Sequence, residues 1–365
     1  MNLMIEKGKI SPMQLAIIMH PTIISTAALS VPSITTLTAG IDMWMTPMIA
    51  SLVGLLTVYI VYRLCLKFPD LTFVQYSQAI LGSYAGKAIA IFFSGALIYT
   101  NGLVLREYGE FVIGDFLQET PMLFVIACMV AVSGYAVYAG LEVLSRASQI
   151  LIPAAVLIIF SMVVLMSPGF QVKQMFPILG NGLLPPLLGS IVPSSWFSQF
   201  FILSYLLPYV NNRNTVLKWS FISVALVMIT LLAINLSVLF MFGTLTQGFN
   251  YAFLIAVRYI SIADFLEHVE SLLMAIWLIG IFIKVALIYY ATVLGIAQLA
   301  GLANYRPLIV PVGVLTILLS IWVAPNFQEL KHILGTSLPF FSLLVQLILP
   351  SLLLIAVSVK GAFKR

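Results

Sequence analysis

Two short stretches carry the residue types from which a small-molecule site is built inside apolar surroundings. Ser25-Thr26-Ala27-Ala28 is small and partly polar and lies between Pro21 and Pro32. Ser194-Ser195-Trp196-Phe197-Ser198-Gln199 follows directly on Pro193. Proline removes a backbone donor and strains the turn before it. In lipid the released polar groups must find partners, so an interrupted helix persists only against protein or a water-filled cavity. Half-helix ends then offer N–H groups that suit a carboxylate and C=O groups that suit a cation or an ammonium. A single proline in a membrane helix commonly does no more than kink it. Two interruptions at corresponding places in two halves of a chain are the pattern of a secondary-transporter binding site.

Other polar residues also interrupt apolar runs. Tyr99, Thr100 and Asn101 fall together, and Arg106, Glu107 and Glu110 follow within three turns. Arg106 and Glu110 are four apart, so they share a helix face and can neutralise each other. Glu267, His268 and Glu270 open a later run. Buried charges are costly and face the bundle interior, which predicts a structural network of Arg106, Glu110 and Glu270 that locks packing or gating. Lys284 stands about 17 residues into that later run. It either snorkels its ammonium to the membrane surface or points inward. The expected ligand pocket lies between spans 1, 3, 6 and 8. Its lining is Ser25, Thr26, Ala27 and Ala28, Tyr99 and Asn101, and Ser194, Ser195, Trp196 and Phe197. A ligand carboxylate would sit near freed N–H groups and its apolar part against Trp196 or Phe197.

The elements that must position these residues are transmembrane helices. Of the 365 residues 62% are hydrophobic and 8% charged, against roughly 25% charged in a soluble domain, and the mean hydropathy is +1.12. Twelve acidic and 17 basic side chains cannot coat a soluble protein of this size. Soluble enzymes, disordered chains and coiled coils are thereby excluded. A β-barrel is excluded because its strands alternate apolar and polar residues. A helix needs about 20 apolar residues to cross a bilayer, and ten such runs are present: 12–39, 43–65, 88–117, 120–139, 148–167, 187–208, 216–242, 267–294, 307–324 and 336–359. The fold class is therefore an all-α polytopic membrane protein. It forms a single transmembrane domain over 1–365, a five-plus-five inverted repeat (about 12–167 and about 187–359) with helices 1 and 6 broken. Segment 71–82 is too short and polar to span and reads as an amphipathic helix on the cytoplasmic surface. The first run lacks a clear cleavage site and should stay as span 1.

With the N-terminus inside, Lys7, Lys9, Arg63, Lys67, Lys87, Arg146, Arg213, Lys218, Arg306, Lys360, Lys364 and Arg365 fall on the inner side. Only Lys173, Arg258 and Lys331 fall outside. The positive-inside rule then puts both termini in the cytoplasm. The long outer loops, 168–186 and 243–265, either cap an outward-facing cavity or merely connect helices. Cys65 and Cys128 lie in apolar runs and read as packing residues. No metal-ligand spacing occurs, no HExxH or GxSxG motif is present, and no cofactor or nucleic acid is expected.

In order along the chain, Arg106-x-x-x-Glu110 with Glu119-Thr120-Pro121, Gly140-Leu141…Ser145-Arg146, and Ile262-x-x-Phe265-x-Glu267-His268-x-Glu270…Trp277 resemble stretches of the B subunits of bacterial spore germinant receptors. This is the spore germination permease family of the amino acid–polyamine–organocation superfamily, and the resemblance covers essentially the whole chain. It implies the fold of sodium-coupled amino-acid transporters and a place in the inner membrane of the endospore. There the chain would work beside an A subunit with soluble domains and a lipoprotein C subunit. It would sense a small nutrient germinant, such as an amino acid, sugar or nucleoside, and trigger germination. An amino-acid permease that carries its ligand is the alternative. Superfamily relatives usually have a glycine-rich break in span 1, whereas Ser25-Thr26-Ala27 stands here, without glycine's backbone freedom. Relatives also hold sodium between that break and span 8, so the resemblance makes Lys284 a fixed positive charge in the cation's place.

Overall fold

A computed structural model describes residues 8–260 and 269–362, with the side chains beyond Val359 left aside. Glu267 and His268 lie outside the described residues. Among the described residues eight segments are long and apolar enough to span a bilayer, or nine with one bent pair counted as a span. One of the eight, Pro12–Lys67, has 56 residues and divides at a 3-10 turn, Gly40–Met45, into α1 (Pro12–Ala39) and α2 (Thr46–Lys67). The expected ten is reached only when that segment is divided there.

The short helix α3 (Phe73–Leu81) precedes α4 (Ser83–Asp115), whose 33 residues run through the centre of the bundle. Segment 71–82, expected as an amphipathic helix on the cytoplasmic surface, forms the helix α3, whose apolar face, Phe73, Val74, Tyr76 and Ile80, is buried against protein, with Phe73 4.1 Å from the Phe93 ring and 4.9 Å from the Phe201 ring. The turn into α4 is so close that a Cβ at Gly86 would stand 2.3 Å from Gln78 Cα. α5 (Met122–Ala139) and α6 (Leu141–Met166) meet at Gly140, where φ is +98°, a value glycine adopts freely. α6 starts earlier than the apolar run, with Leu141 and Leu144 buried and Glu142 and Arg146 paired across one turn at 2.6 Å on the exposed side.

The sixth span is a chain of short pieces: α7 (Leu184–Gly189), α8 (Ile191–Phe197), a 3-10 turn over Ser198–Ile202, α9 (Leu203–Leu206) and a last 3-10 turn. Serines explain the irregularity. Ser194 Oγ donates to Ser190 O, Ser195 Oγ to Val192 O and Ser198 Oγ to Ser195 O, at 2.7–2.8 Å. Such bonds compete with the helical ladder, which Pro193 has already opened by one donor.

Helix 1 differs from expectation. α1 is one continuous helix of 28 residues through both Pro21 and Pro32. With no glycine between them, Ala27 and Ala28 favour helix. The Thr22 and Ser25 hydroxyls turn back onto α1's own carbonyls, Ile18 O at 2.9 Å and Pro21 O at 2.6 Å. Ser11 and Gln14 close a capping box ahead of Pro12. α1 and the sixth span run in opposite directions. Ile10 bridges Val210 at one end, and at the other a Cβ on Gly189 would meet Ala39 Cβ at 2.9 Å.

α10 (Val216–Phe242) packs along α1, and α11 (Ala252–Arg258) is buried over it. The described part of the loop expected at 243–265, residues 243–260, therefore covers an interior space, with Phe253 in its lining, and is more than a connection. α12 (Val269–Leu299) packs on α1 and α4. α13 (Ile309–Trp322) and α14 (Phe327–Gly335) meet at a bend of 99°. α15 (Ser337–Leu343) passes through a π-helical turn, Leu344–Ile348, into α16 (Leu349–Ala362).

Candidate functional site

The polar residues of α1 are spaced so that Thr26 and Ser30, one turn apart, share a face. Three other helices reach that face. Lys284 of α12 is fully buried, and its Nζ donates to Thr26 Oγ1 at 2.7 Å. Trp196 Nε1 of α8 donates to the same oxygen, also at 2.7 Å. Both lone pairs of the hydroxyl are thereby engaged. One turn on, Ser30 donates to the Glu107 carboxylate of α4, which is 2% exposed. Glu107 and Lys284 thus meet neighbouring turns of one α1 face. No ion pair within 4 Å joins them among the described residues. The two opposite charges are each held through a hydroxyl on a neighbouring turn of α1.

The neighbouring face of α1 meets α12 differently. Trp277 Nε1 donates to Ser25 O, and the indole stands against Phe111 and Tyr108 of α4 at 4.1 and 6.2 Å between ring centres. Gly280 permits this approach, since a Cβ there would lie 3.1 Å from Ser25 Cβ. Behind Ser25 and Ala28 is a cavity of about 50 Å³, almost entirely apolar, lined by α1, α4, α6, α10, α11 and α12.

The ten residues expected to line one pocket are thus divided. Thr26 and Trp196 meet at the polar hub, and Ser25 and Ala28 border the apolar cavity. Ala27 is buried on α1. Ser194 and Ser195 spend their hydroxyls on their own helix. Phe197 turns to α2, where it touches the Gly54 position. Tyr99 packs edge-on against Phe341 of α15 at 5.5 Å. Asn101 is buried on α4, its Oδ1 without a partner. Lys284 does not snorkel, and a hydroxyl rather than the carbonyls of a break receives it.

Arg106 and Glu110 pair at 2.6 and 3.0 Å. The same guanidinium donates to Ile321 O at 3.4 Å and Pro325 O at 3.2 Å in the α13–α14 bend. Ile321 O would ordinarily accept from the N–H four residues on, which Pro325 lacks, so Arg106 takes that place. Glu270 lies half-buried in the first turn of α12. Residues that the sequence did not single out are Glu107 as counter-charge, Ser30, Trp277 as a helix tie, and Gln346. In the π-helical turn Gln346 Oε1 lies 3.0 Å from Ser198 Oγ and shares that hydroxyl's single proton with Ser195 O.

Buried charges at the centre of a bundle with an interrupted span define a multi-pass membrane protein of secondary-transporter architecture. MhsT with bound L-phenylalanine superposes with a TM-score of 0.69 at 13% identity, covering 95% of this chain and 89% of that one. A Na+-coupled sialic acid symporter, substrate-bound and outward-open, gives 0.66 at 12% identity, covering 93% and 80%. The chain belongs to the spore germination protein family, whose model matches residues 9–328. It is 29% identical to spore germination protein KB of Bacillus subtilis (strain 168), over 89% of this chain and 87% of that protein. To spore germination protein YndE of the same organism it is 26% identical, over 95% and 96%.

Proposed function

We propose that the chain is the germinant-sensing membrane subunit of a spore germinant receptor in the inner spore membrane. It works with an A subunit bearing soluble domains and a lipoprotein C subunit, and its ligand is an α-amino acid. The observation that carries this reading is the α1 hub, where Lys284 and Glu107 present opposite charges on adjacent turns. A zwitterion matches that arrangement, its carboxylate toward Lys284 and its ammonium toward Glu107, with Trp196 beside it. Lys284 also supplies the fixed positive charge that a coupling cation would otherwise bring to the face between α1 and α12.

The test is thermal stabilisation of the purified full chain by a panel of L-amino acids, their N-acetyl and amide derivatives, sugars and nucleosides. Amino acids should stabilise the protein, and blocking either charged end should abolish the effect. Thr26→Val should weaken binding about tenfold, since each donor orphaned on a buried hydroxyl costs about 1–3 kcal/mol. Stabilisation by sugars or nucleosides alone would overturn the zwitterion reading. Sustained uptake of the stabilising amino acid into proteoliposomes would favour a permease over a receptor.

Orientation is checked separately. Lys173 and Lys218 are both exposed, and the bias of basic residues assigns Lys173 to the outer side and Lys218 to the cytoplasm with both termini. A cysteine at 173 should react with an impermeant maleimide in intact cells or right-side-out vesicles, and one at 218 only after permeabilisation. The reverse pattern would invert the topology.

A further inference from the structure

A groove of about 560 Å³ runs along α1 between α6 and α10, lined by Ile17, Val156, Phe160, Ile222 and Leu226 among others and almost without polar surface. Leu157 and Leu226 on its walls are 69% and 48% exposed, so it opens to the bilayer. Its inner sill, His20, Ile152 and Val156, is shared with the small apolar cavity behind Ser25 and Trp277. The sill presents little polarity. Thr230 Oγ1 gives its proton to Leu226 O at 2.8 Å, so at 3.1 Å it accepts the proton of His20 Nε2.

The outer mouth has the opposite character. Met13 and Trp219 frame it, tryptophan being a residue of the membrane–water boundary. Next to the lining residue Met13, Gln14 Nε2 of α1 donates to Gln149 Oε1 of α6 in an exposed bond of 3.1 Å. Pro153 leaves Gln149 O without its helical donor. Lys218 is exposed one turn before Ile222, on the same side of α10, and Lys9 is exposed just ahead of α1. The length also fits. One leaflet's hydrocarbon is about 15 Å deep, or about ten residues of helix, which from Met13 ends near Ile23, just past the sill.

We propose that this groove is a specific site for one acyl chain of an anionic phospholipid. The phosphate sits by Lys218, and the chain end lies against His20 behind the turn of α1 that carries Ser25 and Thr26. The occupant follows from the cationic rim, the apolar walls and the one-leaflet length. An annular lipid would show none of these in combination.

The test uses the full chain in phosphatidylcholine vesicles carrying a trace of either phosphatidylglycerol or phosphatidylcholine with a chain-end diazirine. Crosslinks should concentrate in peptides spanning 19–24 and 152–157. Phosphatidylglycerol should be preferred about fivefold over phosphatidylcholine, the value of about 1 kcal/mol for one surface lysine. Lys218→Glu should erase that preference without moving the crosslinks. Ile222→Trp should fill the groove and reduce them severalfold, and Leu226→Trp gives the same test from the same wall should the first variant not fold. Three results would overturn the site: crosslinks spread equally over the exposed faces of α5 and α13, yields unmoved by both tryptophans, or displacement of the lipid by excess L-phenylalanine.

Discussion

Lys284→Met is expected to be the most damaging single substitution in the bundle. The methionine keeps the apolar stem but takes the ammonium from Thr26 Oγ1 and leaves Glu107, 2% exposed and bonded to Ser30, without its nearby counter-charge. A buried carboxylate left without its nearest opposite charge, though the two are not in direct contact, costs about 3 kcal/mol. The variant should therefore show strongly reduced yield and thermal stability on size exclusion in mild detergent. The double variant Lys284→Met/Glu107→Gln removes both charges and should recover most of that stability while remaining unable to respond to ligand. Recovery without response separates a binding role for the pair from mere packing. A fully stable and responsive Lys284→Met protein would refute both roles, and a strict sodium requirement in the unaltered protein would refute the cation-replacing one.

Arg106→Met is expected to open the bend between α13 and α14. It removes the donors to Ile321 O and Pro325 O and strands Glu110. A fully buried unsatisfied group costs about 1–3 kcal/mol; these three are only part-buried, so together they cost about 2–5 kcal/mol. Hydrogen exchange should rise selectively over 322–330. Arg106→Lys should rescue only part, since an ammonium cannot match the guanidinium fork. Unchanged exchange at the bend in Arg106→Met would show that the proline turn holds itself.

The spans were legible because a helix in lipid must be apolar for about 20 residues, a property each run carries by itself. The Arg106–Glu110 pair was legible for a similar reason, as both ends lie on one helix. Reading Pro21 and Pro32 as a break in α1 failed. Proline removes one donor, but unwinding also needs a residue that tolerates other torsions, and Ala27 and Ala28 do not favour it. Tyr99 and Phe197 were placed by depth alone, whereas their azimuth on the helix sends them to α15 and α2. Glu107 was visible as a charge, yet its tie to Ser30 depends on how α4 rotates against α1, which no local pattern in either helix records.

The sixth span is fastened to α1 at both extremities, through Ile10 and Val210 and through Ala39 and Gly189. Between these fastenings lies a five-residue 3-10 stretch, Ser198–Ile202. A 3-10 turn rises about 2.0 Å per residue and an α-turn 1.5 Å, so winding this stretch into α-helix would shorten it by about 2.5 Å. α1 is an unbroken rod and cannot shorten with it. The two helices are thus a strut and a turnbuckle clamped side by side. Any ligand that retensions the Ser198 stretch, which Gln346 now grips, must either slide α1 along its axis or spring one of the two clamps.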